Sequence, residues 1–305
     1  GGAAVYAVEF APPGKRGLFG SWAPIGVTLG NLMAAGVFAV VTSYLSKEQL
    51  LAWGWRIPFL FSIVLIAFGL YIRLRISETP VFEQVAEKGQ ALKTPVLDAI
   101  RRHPRSFLVV LGSRLAENGL GYLFPVFGLN YVVQQLQMPR STALFGVILS
   151  QFLSLLTIPM FSALSDRIGR RPVYLGAALF SAAWAFPFFY LCETKDPNMI
   201  ALAFVGATAI GVSGMFGPQA AYYSELFGPR VRFGGFSFAR ELGSLLAGGP
   251  APFLATYLLT QSGGKPWGVA WYIIVLALLT ALAIVIGPET HKSDIAADHP
   301  DDTKA

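Results

Sequence analysis

Long stretches without charged residues are the feature of this sequence that most restricts its fold. A helix needs about 20 mostly apolar residues to cross a lipid bilayer. The uncharged runs cover residues 17–46, 57–72, 118–139, 141–165, 172–192, 197–224, 242–264 and 266–288. Two runs extend backwards through isolated charges, to about residues 106 and 233, and residues 1–8 have the composition of the end of a ninth span. The sequence therefore predicts an all-α membrane protein with eight full transmembrane helices.

The composition excludes several classes of protein. Charged residues make up 13% of the chain and hydrophobic residues 54%, whereas soluble domains carry about 25% charged residues. The single Cys192 rules out a disulfide framework, and three histidines outside the predicted spans leave little material for a transition-metal site. The sequence has no H-E-x-x-H or G-x-S-x-G motif. We therefore expect no enzyme activity, no metal and no other cofactor.

The basic residues are distributed unequally between the two sides of the predicted membrane. When the chain is threaded alternately through the bilayer, 16 of the 23 Lys and Arg residues fall on one side and five on the other, with Arg114 and Arg240 inside spans. The positive-inside rule identifies the richer side as cytoplasmic. The net charge of +6 therefore reflects membrane topology rather than a nucleic-acid partner. We expect a multi-pass protein of the inner or plasma membrane, with its central linker and C-terminus in the cytoplasm.

An internal repeat predicts two halves of similar orientation. The segment from Glu9 to Arg16 and the segment from Glu225 to Arg232 share Glu, Pro and Arg at the same spacing, with an offset of 216 residues. Transporters built from repeated helical units have this property. Roughly 120 residues of the later half precede Glu225, whereas eight residues precede Glu9. We therefore expect a fragment of a twelve-helix, two-half bundle that lacks about three spans and part of a fourth.

These observations divide the chain into four parts. Residues 1–73 are predicted to be the remnant of the N-terminal half, with the end of its fourth helix and its fifth and sixth helices. Residues 74–105 are polar and predict a cytoplasmic linker with short amphipathic helices. Residues 106–288 are predicted to form a C-terminal half of six helices. The acidic, polar tail 289–305 is predicted to be disordered.

Two charges, Arg114 and Glu117, lie near the middle of one predicted span. An ionisable residue at that depth normally faces a cavity and has a partner, and a spacing of three residues lets these two pair on a helix. Arg offers a bidentate fork for a carboxylate, and a desolvated Glu can gain a proton. Protonation of Glu117 would free Arg114 for an anionic substrate, so we expect a substrate and proton-coupling site of Arg114, Glu117, Asn118 and Gln151. A permanent ion pair that fixes helix packing or closes a gate is the alternative.

A second pair of charges, Arg240 and Glu241, lies in a later predicted span. Adjacent residues are about 100° apart around a helix, so the two side chains are not expected to point the same way. Arg240 is nearer the cytoplasmic end of the span. In one interpretation it snorkels to the membrane surface or pairs with the loop around Asp166 as part of a gate, and in the other it contacts the cavity; the sequence leaves both open.

The loop from Ser165 to Pro172, Ser-Asp-Arg-Ile-Gly-Arg-Arg-Pro, resembles the signature between paired helices of the major facilitator superfamily, G-x-L-x-D-R-x-G-R-R/K. The resemblance implies a major facilitator fold and a cytoplasmic latch, in which the loop Asp caps a neighbouring helix and its Arg residues pair with acids. The implied latch residues are Asp166, Arg167, Arg170, Glu225, Arg232 and Arg240, with Glu9 and Arg16 as counterparts in the first half. The alternative is that the positive charge of this loop serves only topology.

Further motifs narrow the resemblance to one branch of that family. The segments 1–9, 13–17, 53–59 and 78–80 are similar to those of metabolite:proton symporters, a branch that includes carriers of shikimate, α-ketoglutarate, citrate and proline or betaine. The resemblance implies a proton-coupled secondary transporter that imports a small organic acid, shikimate-like, aromatic or dicarboxylic, by alternating access. A proton symporter of a zwitterionic solute such as proline or betaine is the alternative.

The repeat and the paired intramembrane charges favour a carrier over a channel or a membrane-embedded enzyme. We expect a monomer in the lipid bilayer whose partners are the organic acid and the proton.

Overall fold

The computed structural model describes residues 2–75 and 95–295, and all regular structure within these ranges is helical. The helices before the linker are α1 (Gly2–Glu9), α2 (Arg16–Gly20), α3 (Trp22–Tyr44), α4 (Lys47–Gln49) and α5 (Arg56–Arg75). α6 (Pro95–Arg102) lies within the predicted linker, and the helices that follow are α7 (Pro104–Tyr122), α8 (Arg140–Ile168), α9 (Arg170–Glu193), α10 (Pro197–Phe204), α11 (Ser213–Glu225), α12 (Arg232–Ala247), α13 (Ala251–Gln261) and α14 (Trp267–Ile286).

Six helical segments of the described chain are long and apolar enough to cross a membrane, namely Arg16–Tyr44, Arg140–Ile168, Arg170–Glu193, Pro197–Glu225, Arg232–Gln261 and Trp267–Ile286. The segments Lys47–Gly54 and Arg56–Ile72, bent by 42°, would together add a seventh. The helix that begins at Pro104 is not among the six, because Arg114, Glu117 and Asn118 lower its hydropathy. The all-helical membrane class is therefore confirmed, whereas the count of eight spans and part of a ninth is not.

The helices after the linker form the larger packed unit. α7 packs against α12 and α14, α9 packs against α14, and α8 packs against α10 and α11. Buried aromatic rings fill part of this unit, at Phe124, Phe188, Phe189 and Phe204. α2 and α3 pack against α8, and α2 also packs against α11. These contacts place α8 and α11 at the boundary between the two halves.

Large apolar side chains cover the outer surface of α5. Phe59 is 68% exposed and Ile66 is 66% exposed. Extended exposed apolar surfaces of this kind mark contact with another apolar phase. The surface of α5 therefore suits contact with lipid tails.

One end of the bundle carries the charged helix termini, and we call it the linker side because α6 and the start of α7 lie there. The ends of α1, α8 and α11 and the starts of α2, α9 and α12 meet at this end. This is the side that the distribution of basic residues predicts to be cytoplasmic.

The prediction of a disordered tail from residue 289 is wrong for residues 289–295. Glu289 accepts hydrogen bonds from the backbone N–H groups of Arg170 and Arg171, at 2.9 Å and 3.0 Å. The Thr290 hydroxyl donates to Glu225 Oε2 at 2.7 Å. The polar composition of this segment therefore serves contacts with the bundle. Residues 76–94 of the predicted linker, including the 78–80 motif, and residues 296–305 of the tail lie outside the described ranges.

Three helices are irregular at similar distances from the linker side. The stretches Leu123–Gly128 and Val205–Val212 are π-helical, and a turn at residues 248–250 separates α12 from α13. Widened or broken helices are common where a membrane protein lines a cavity.

Candidate functional site

A cavity of about 1020 Å³ lies between the two halves, at the level of these irregular stretches. Most of its lining residues are apolar, such as Val27, Ile148 and Phe216. Its charged and amide side chains are Asn31, Arg114, Glu117, Asn118, Gln151, Arg240 and Glu241. A concave, mostly apolar wall with a few convergent polar groups is the usual form of a small-molecule site.

The structure brings Arg114 and Glu117 together at the wall of this cavity. The Arg114 guanidinium donates to Glu117 Oε2, and the two side chains are 5% and 4% exposed. Among the described residues, each has one further side-chain partner. Arg114 Nε donates to Ser244 Oγ at 3.0 Å, and Gln219 Nε2 donates to Glu117 Oε2 at 2.7 Å. The pair is therefore almost buried, yet it is held by few groups besides itself.

The close approach of α12 to α7 explains how Ser244 reaches Arg114. A Cβ atom at Gly243 would lie 2.8 Å from the Cβ of Arg114 and 3.2 Å from the carbonyl oxygen of Leu111. Only a glycine allows the two helix backbones to come this near. The neighbouring Ser244 hydroxyl can then accept the hydrogen bond from the guanidinium.

Asn118 and Gln151 also line the cavity, on α7 and α8. The Asn118 Oδ1 atom packs against Gly248, where any side chain would collide with it. Within the described residues the Gln151 amide forms no hydrogen bond, so its donors and acceptor are available to a ligand. The four expected substrate-site residues therefore share one cavity.

Arg240 lies at the same cavity, away from the charged cluster around Asp166. Its guanidinium contacts the carboxylate of Glu241, and both residues line the cavity. The expectation that these neighbours diverge is wrong, because the long side chain of Arg240 reaches its neighbour. Of the two open interpretations for Arg240, the geometry agrees with cavity contact rather than with a place in the latch.

Six charged residues meet at the linker side, and we call them the latch: Glu9, Arg16, Asp166, Arg170, Glu225 and Arg232. Asp166 accepts hydrogen bonds from the backbone N–H groups of Gly17 and Leu18, at 2.8 Å and 2.9 Å. These N–H groups lie in the first turn of α2, where a carboxylate satisfies free donors and the helix dipole. The loop of the second half thus caps a helix of the first half, as the family resemblance implies.

Arg170 and Glu225 form the centre of the latch. Arg170 donates through Nε and Nη2 to the two oxygens of Glu225, at 3.2 Å and 3.1 Å, and its Nη1 donates to Asp166 at 2.7 Å. The exposed fractions of the Arg170 and Glu225 side chains are 1% and 0%. A bidentate pair with this burial has a fixed geometry. The place in the latch that the family resemblance implies for Glu225 agrees with these contacts.

In the latch, the two copies of the sequence repeat form ion pairs with each other. Arg232 of the second copy pairs with Glu9 of the first at 2.6 Å, and Arg16 of the first copy pairs with Glu225 of the second at 3.7 Å. Each repeat therefore supplies an arginine to the acid of the other. This reciprocal arrangement is what two halves related by a pseudo-two-fold axis would produce.

Glu289 adds a cap to the start of α9. Gly169 has φ of 108°, a backbone conformation that favours glycine, and a Cβ atom there would lie 2.6 Å from Glu289 Oε2. Partial burial acts to raise the pKa of Glu289, but the backbone N–H donors of Arg170, Arg171, His291 and Thr290 outweigh burial and leave this pKa below its ordinary value. The carboxylate is therefore held in its charged form at the helix N-terminus.

One predicted latch residue forms no ion pair in the latch, and two residues of the site were not predicted from the sequence. Arg167 is exposed and forms no ion pair within the described chain, so no contact supports its predicted role in the latch. Ser244 and Glu289 were not expected at the site, since serine and a polar tail carry no local signal. Gln219 lies within the predicted span 197–224 and hydrogen-bonds to Glu117 of another helix, the common role for a polar residue within a span.

A cavity with paired charges inside a two-half helical bundle, closed at one end by charges exchanged between the halves, defines a membrane transporter. Comparisons with known proteins identify the family. The model of the Major Facilitator Superfamily matches residues 107–301, and the model named Sugar (and other) transporter matches residues 1–106. The chain therefore belongs to the major facilitator superfamily, whose members are transporters and not enzymes.

Similar proteins agree with this assignment. The chain is 35% identical over 295 residues to the shikimate transporter of Escherichia coli K12, which covers 96% of this chain and 67% of that protein. It is 29% identical over 300 residues to the proline/betaine transporter of Salmonella typhimurium LT2, covering 95% of this chain and 59% of that protein. Its fold is similar to a crystal structure of a double tryptophan variant of XylE, with a TM-score of 0.76, 17% identity, and coverage of 96% and 69% of the two chains.

Proposed function

We propose that this protein is a proton-coupled secondary transporter that imports a small organic acid by alternating access. The observation that carries the proposal is the buried Arg114–Glu117 pair at the wall of the central cavity. An arginine supplies the planar fork that binds a carboxylate, and an adjacent glutamate supplies a group that can take a proton.

The proposed coupling is an exchange of partners at Arg114. In the empty site Glu117 neutralises the guanidinium. When Glu117 takes a proton it becomes neutral, and the substrate carboxylate replaces it on Arg114. The net charge of the site is zero before and after the exchange, which avoids the large cost of an uncompensated charge in a low-dielectric region.

Gln219 supports this exchange from α11. Its Nε2 donates to the Glu117 oxygen that also receives the Arg114 hydrogen bond. After protonation Glu117 still has an acceptor for the Gln219 donor, so it does not become an unsatisfied buried group.

We infer that the linker side is cytoplasmic and that the closed latch belongs to a state in which the cavity opens to the opposite side. Import then requires the Asp166 cap on α2 and the Arg232–Glu9 pair to separate, since both join the two halves. The excess of basic residues on the linker side supports this orientation. We propose that one chain performs this cycle as a monomer.

Two substrate classes fit the cavity. A small organic acid of the shikimate-like, aromatic or dicarboxylic kind is favoured by Arg114 and by the 35% identity to a shikimate transporter. A zwitterion such as proline or betaine is the second candidate. The observation in its favour is Glu241, whose side chain is 61% exposed beside the same cavity and could face a cationic group.

The test uses Glu117→Gln in the protein expressed from its complete gene and reconstituted in liposomes with labelled shikimate. We expect no accumulation driven by a proton gradient, because glutamine mimics a permanently protonated Glu117. Exchange of labelled for unlabelled substrate should persist at no less than about a tenth of the wild-type rate.

Glu193→Gln is the matched control. Glu193 accepts a hydrogen bond from Tyr131 outside the cavity, so this variant should accumulate substrate normally. Wild-type accumulation by Glu117→Gln would refute the coupling. Labelled proline or betaine in place of shikimate decides between the two substrate classes.

A further inference from the structure

A second, smaller cavity lies on the linker side of the main cavity. Its volume is about 490 Å³, and its wall includes Trp22, Gln219 and Phe236. Gln219 and Phe236 lie six and four positions from the latch ends of their helices, and Trp22 lies six positions after Arg16, the start of α2. These separations correspond to about 6–9 Å along the helix axis. The two cavities therefore follow one another between the latch and the centre of the bundle.

The two cavities share three lining residues, Val27, Phe216 and Arg240. These three residues form the partition between the two cavities. Val27 and Phe216 are apolar, so Arg240 is the charged residue of the partition in the part of the chain that the structure describes. A carboxylate that crossed an apolar partition without a cation would lose its hydration at a large cost. Arg240 stands where such a group needs a partner.

The two arginines of the main cavity differ in the freedom of their acidic partners. The Arg114 and Glu117 side chains are 5% and 4% exposed, whereas those of Arg240 and Glu241 are 20% and 61% exposed. Glu117 is enclosed, so it can leave Arg114 only by losing its charge. Glu241 can turn into water and keep its charge, because an exposed ion pair is weak.

Ser244 connects the two arginines. Its hydroxyl accepts the hydrogen bond from Arg114 Nε at 3.0 Å and donates to the carbonyl oxygen of Arg240 at 2.9 Å. Arg240 precedes Ser244 by four residues in α12, so its backbone lies about 6 Å nearer the linker side. A substrate that leaves Arg114 toward the linker side meets Arg240 next.

We propose that Arg240 is a second anion site, which receives the substrate carboxylate after Arg114 and carries it past the partition into the smaller cavity. The proposal rests on the proposed function and extends it by a second binding residue. The proposal also gives the two acids different roles. Glu117 must take a proton before it leaves Arg114 to the substrate carboxylate, whereas Glu241 leaves Arg240 by rotation of its side chain.

The test measures shikimate binding and transport for Arg240→Gln in the protein expressed from its complete gene. We expect the maximal rate of exchange to fall by about tenfold or more while the apparent affinity changes by less than about threefold, because the first site is intact and the next step lacks its cation. Arg240→Lys restores the charge and should recover at least about a third of the rate. Arg140→Gln, at the exposed start of α8, is the matched control and should behave as wild type.

Glu241→Gln provides the second measurement. Its rate of uptake can change, because Glu241 belongs to the binding cavity, but it should still accumulate substrate when a proton gradient is applied and should keep the wild-type pH profile, because Glu241 carries no coupled proton. Loss of accumulation in this variant would show that Glu241 carries a coupled proton and would overturn the different roles proposed for Glu117 and Glu241. A wild-type exchange rate in Arg240→Gln, or an equal loss of affinity and rate, would overturn the second site.

Arg240→Met gives the same test if the glutamine variant is not inserted in the membrane. Failure of the proposed function is recognised separately, since it would show as normal accumulation in Glu117→Gln.

Discussion

The cavity and the latch both contain buried arginine–carboxylate pairs, but their partners lie at very different distances along the chain. In the cavity, Arg114 pairs with Glu117 three residues away in the same helix. In the latch, Arg232 pairs with Glu9 across 223 residues, and Asp166 binds the Gly17 N–H group across 149 residues. The first pair can separate without any movement of the two halves, once Glu117 has taken a proton. The second group separates only when the halves move, so the cavity suits ligand exchange and the latch suits conformational control.

The number of partners reinforces this difference. Glu117 is held by Arg114 and Gln219. Glu225 is held by two hydrogen bonds from Arg170, one from Thr290, and the charge of Arg16. Arg170 donates three hydrogen bonds to two buried carboxylates, whereas Arg114 donates one to Glu117, so substitution of the latch arginine should have the larger effect.

The largest expected effect follows from replacing the central arginine of the latch. Arg170→Met removes the cation of Asp166 and leaves buried Glu225 with the more distant Arg16, which should destabilise the closed latch by about 3–5 kcal/mol. Positions 15 and 167 are exposed on the two halves at the linker side. The distance between spin labels at these two positions, measured by pulsed electron paramagnetic resonance, should increase.

Arg171→Met is the control for this comparison. Arg171 donates to the carbonyl oxygens of Ile284 and Val285 and pairs with no carboxylate side chain in the described residues. The label distance should then remain that of the wild type. An unchanged distance in Arg170→Met would show that the latch does not hold the halves together.

A smaller effect is expected in the cavity. Arg114→Lys keeps the positive charge but removes the planar fork, so the affinity for shikimate should fall by about tenfold, or about 1.4 kcal/mol. Equilibrium binding to the purified full-length protein measures this change. Arg105→Lys, which alters a contact with the Ile286 carbonyl outside the cavity, should leave the affinity intact. Equal affinity in both variants would remove Arg114 from the substrate site.

The smallest effect concerns the cap supplied by Glu289. Because its pKa is lowered in the folded protein, its contribution to stability is complete above the ordinary pKa of a glutamate and is lost as the pH falls through the lowered value. Glu289→Gln should cost about 1 kcal/mol near neutral pH, and the difference from wild type should vanish in acid. Thermal unfolding in detergent across this pH range tests it, and a difference that is constant with pH would contradict it.

Local spacing predicted the parts of the site that depend on one helix. The three-residue spacing of Arg114 and Glu117 was enough to predict their pairing, since helix geometry alone brings them together. The repeat likewise identified Glu9, Arg16, Glu225 and Arg232, and the loop motif identified Asp166 and Arg170.

Contacts between distant helices could not be read from the sequence. The reach of Ser244 to Arg114 depends on the close approach of α12 to α7 at Gly243. The cap by Glu289 joins residues 119 positions apart and depends on where the chain returns after α14. The position of Arg240 depends on a side-chain rotation that periodicity does not fix. In each case the missing information is tertiary packing.

The crossed charges of Glu9, Arg16, Glu225 and Arg232 have a consequence for symmetry. A contact in which each member offers the same acid and the same base to the other is isologous, and it is self-complementary by construction. The same sequence can therefore supply both sides of such a contact. A single six-helix polypeptide with this Glu and Arg could close against its own copy as a homodimer, with the same lock formed twice about the dyad.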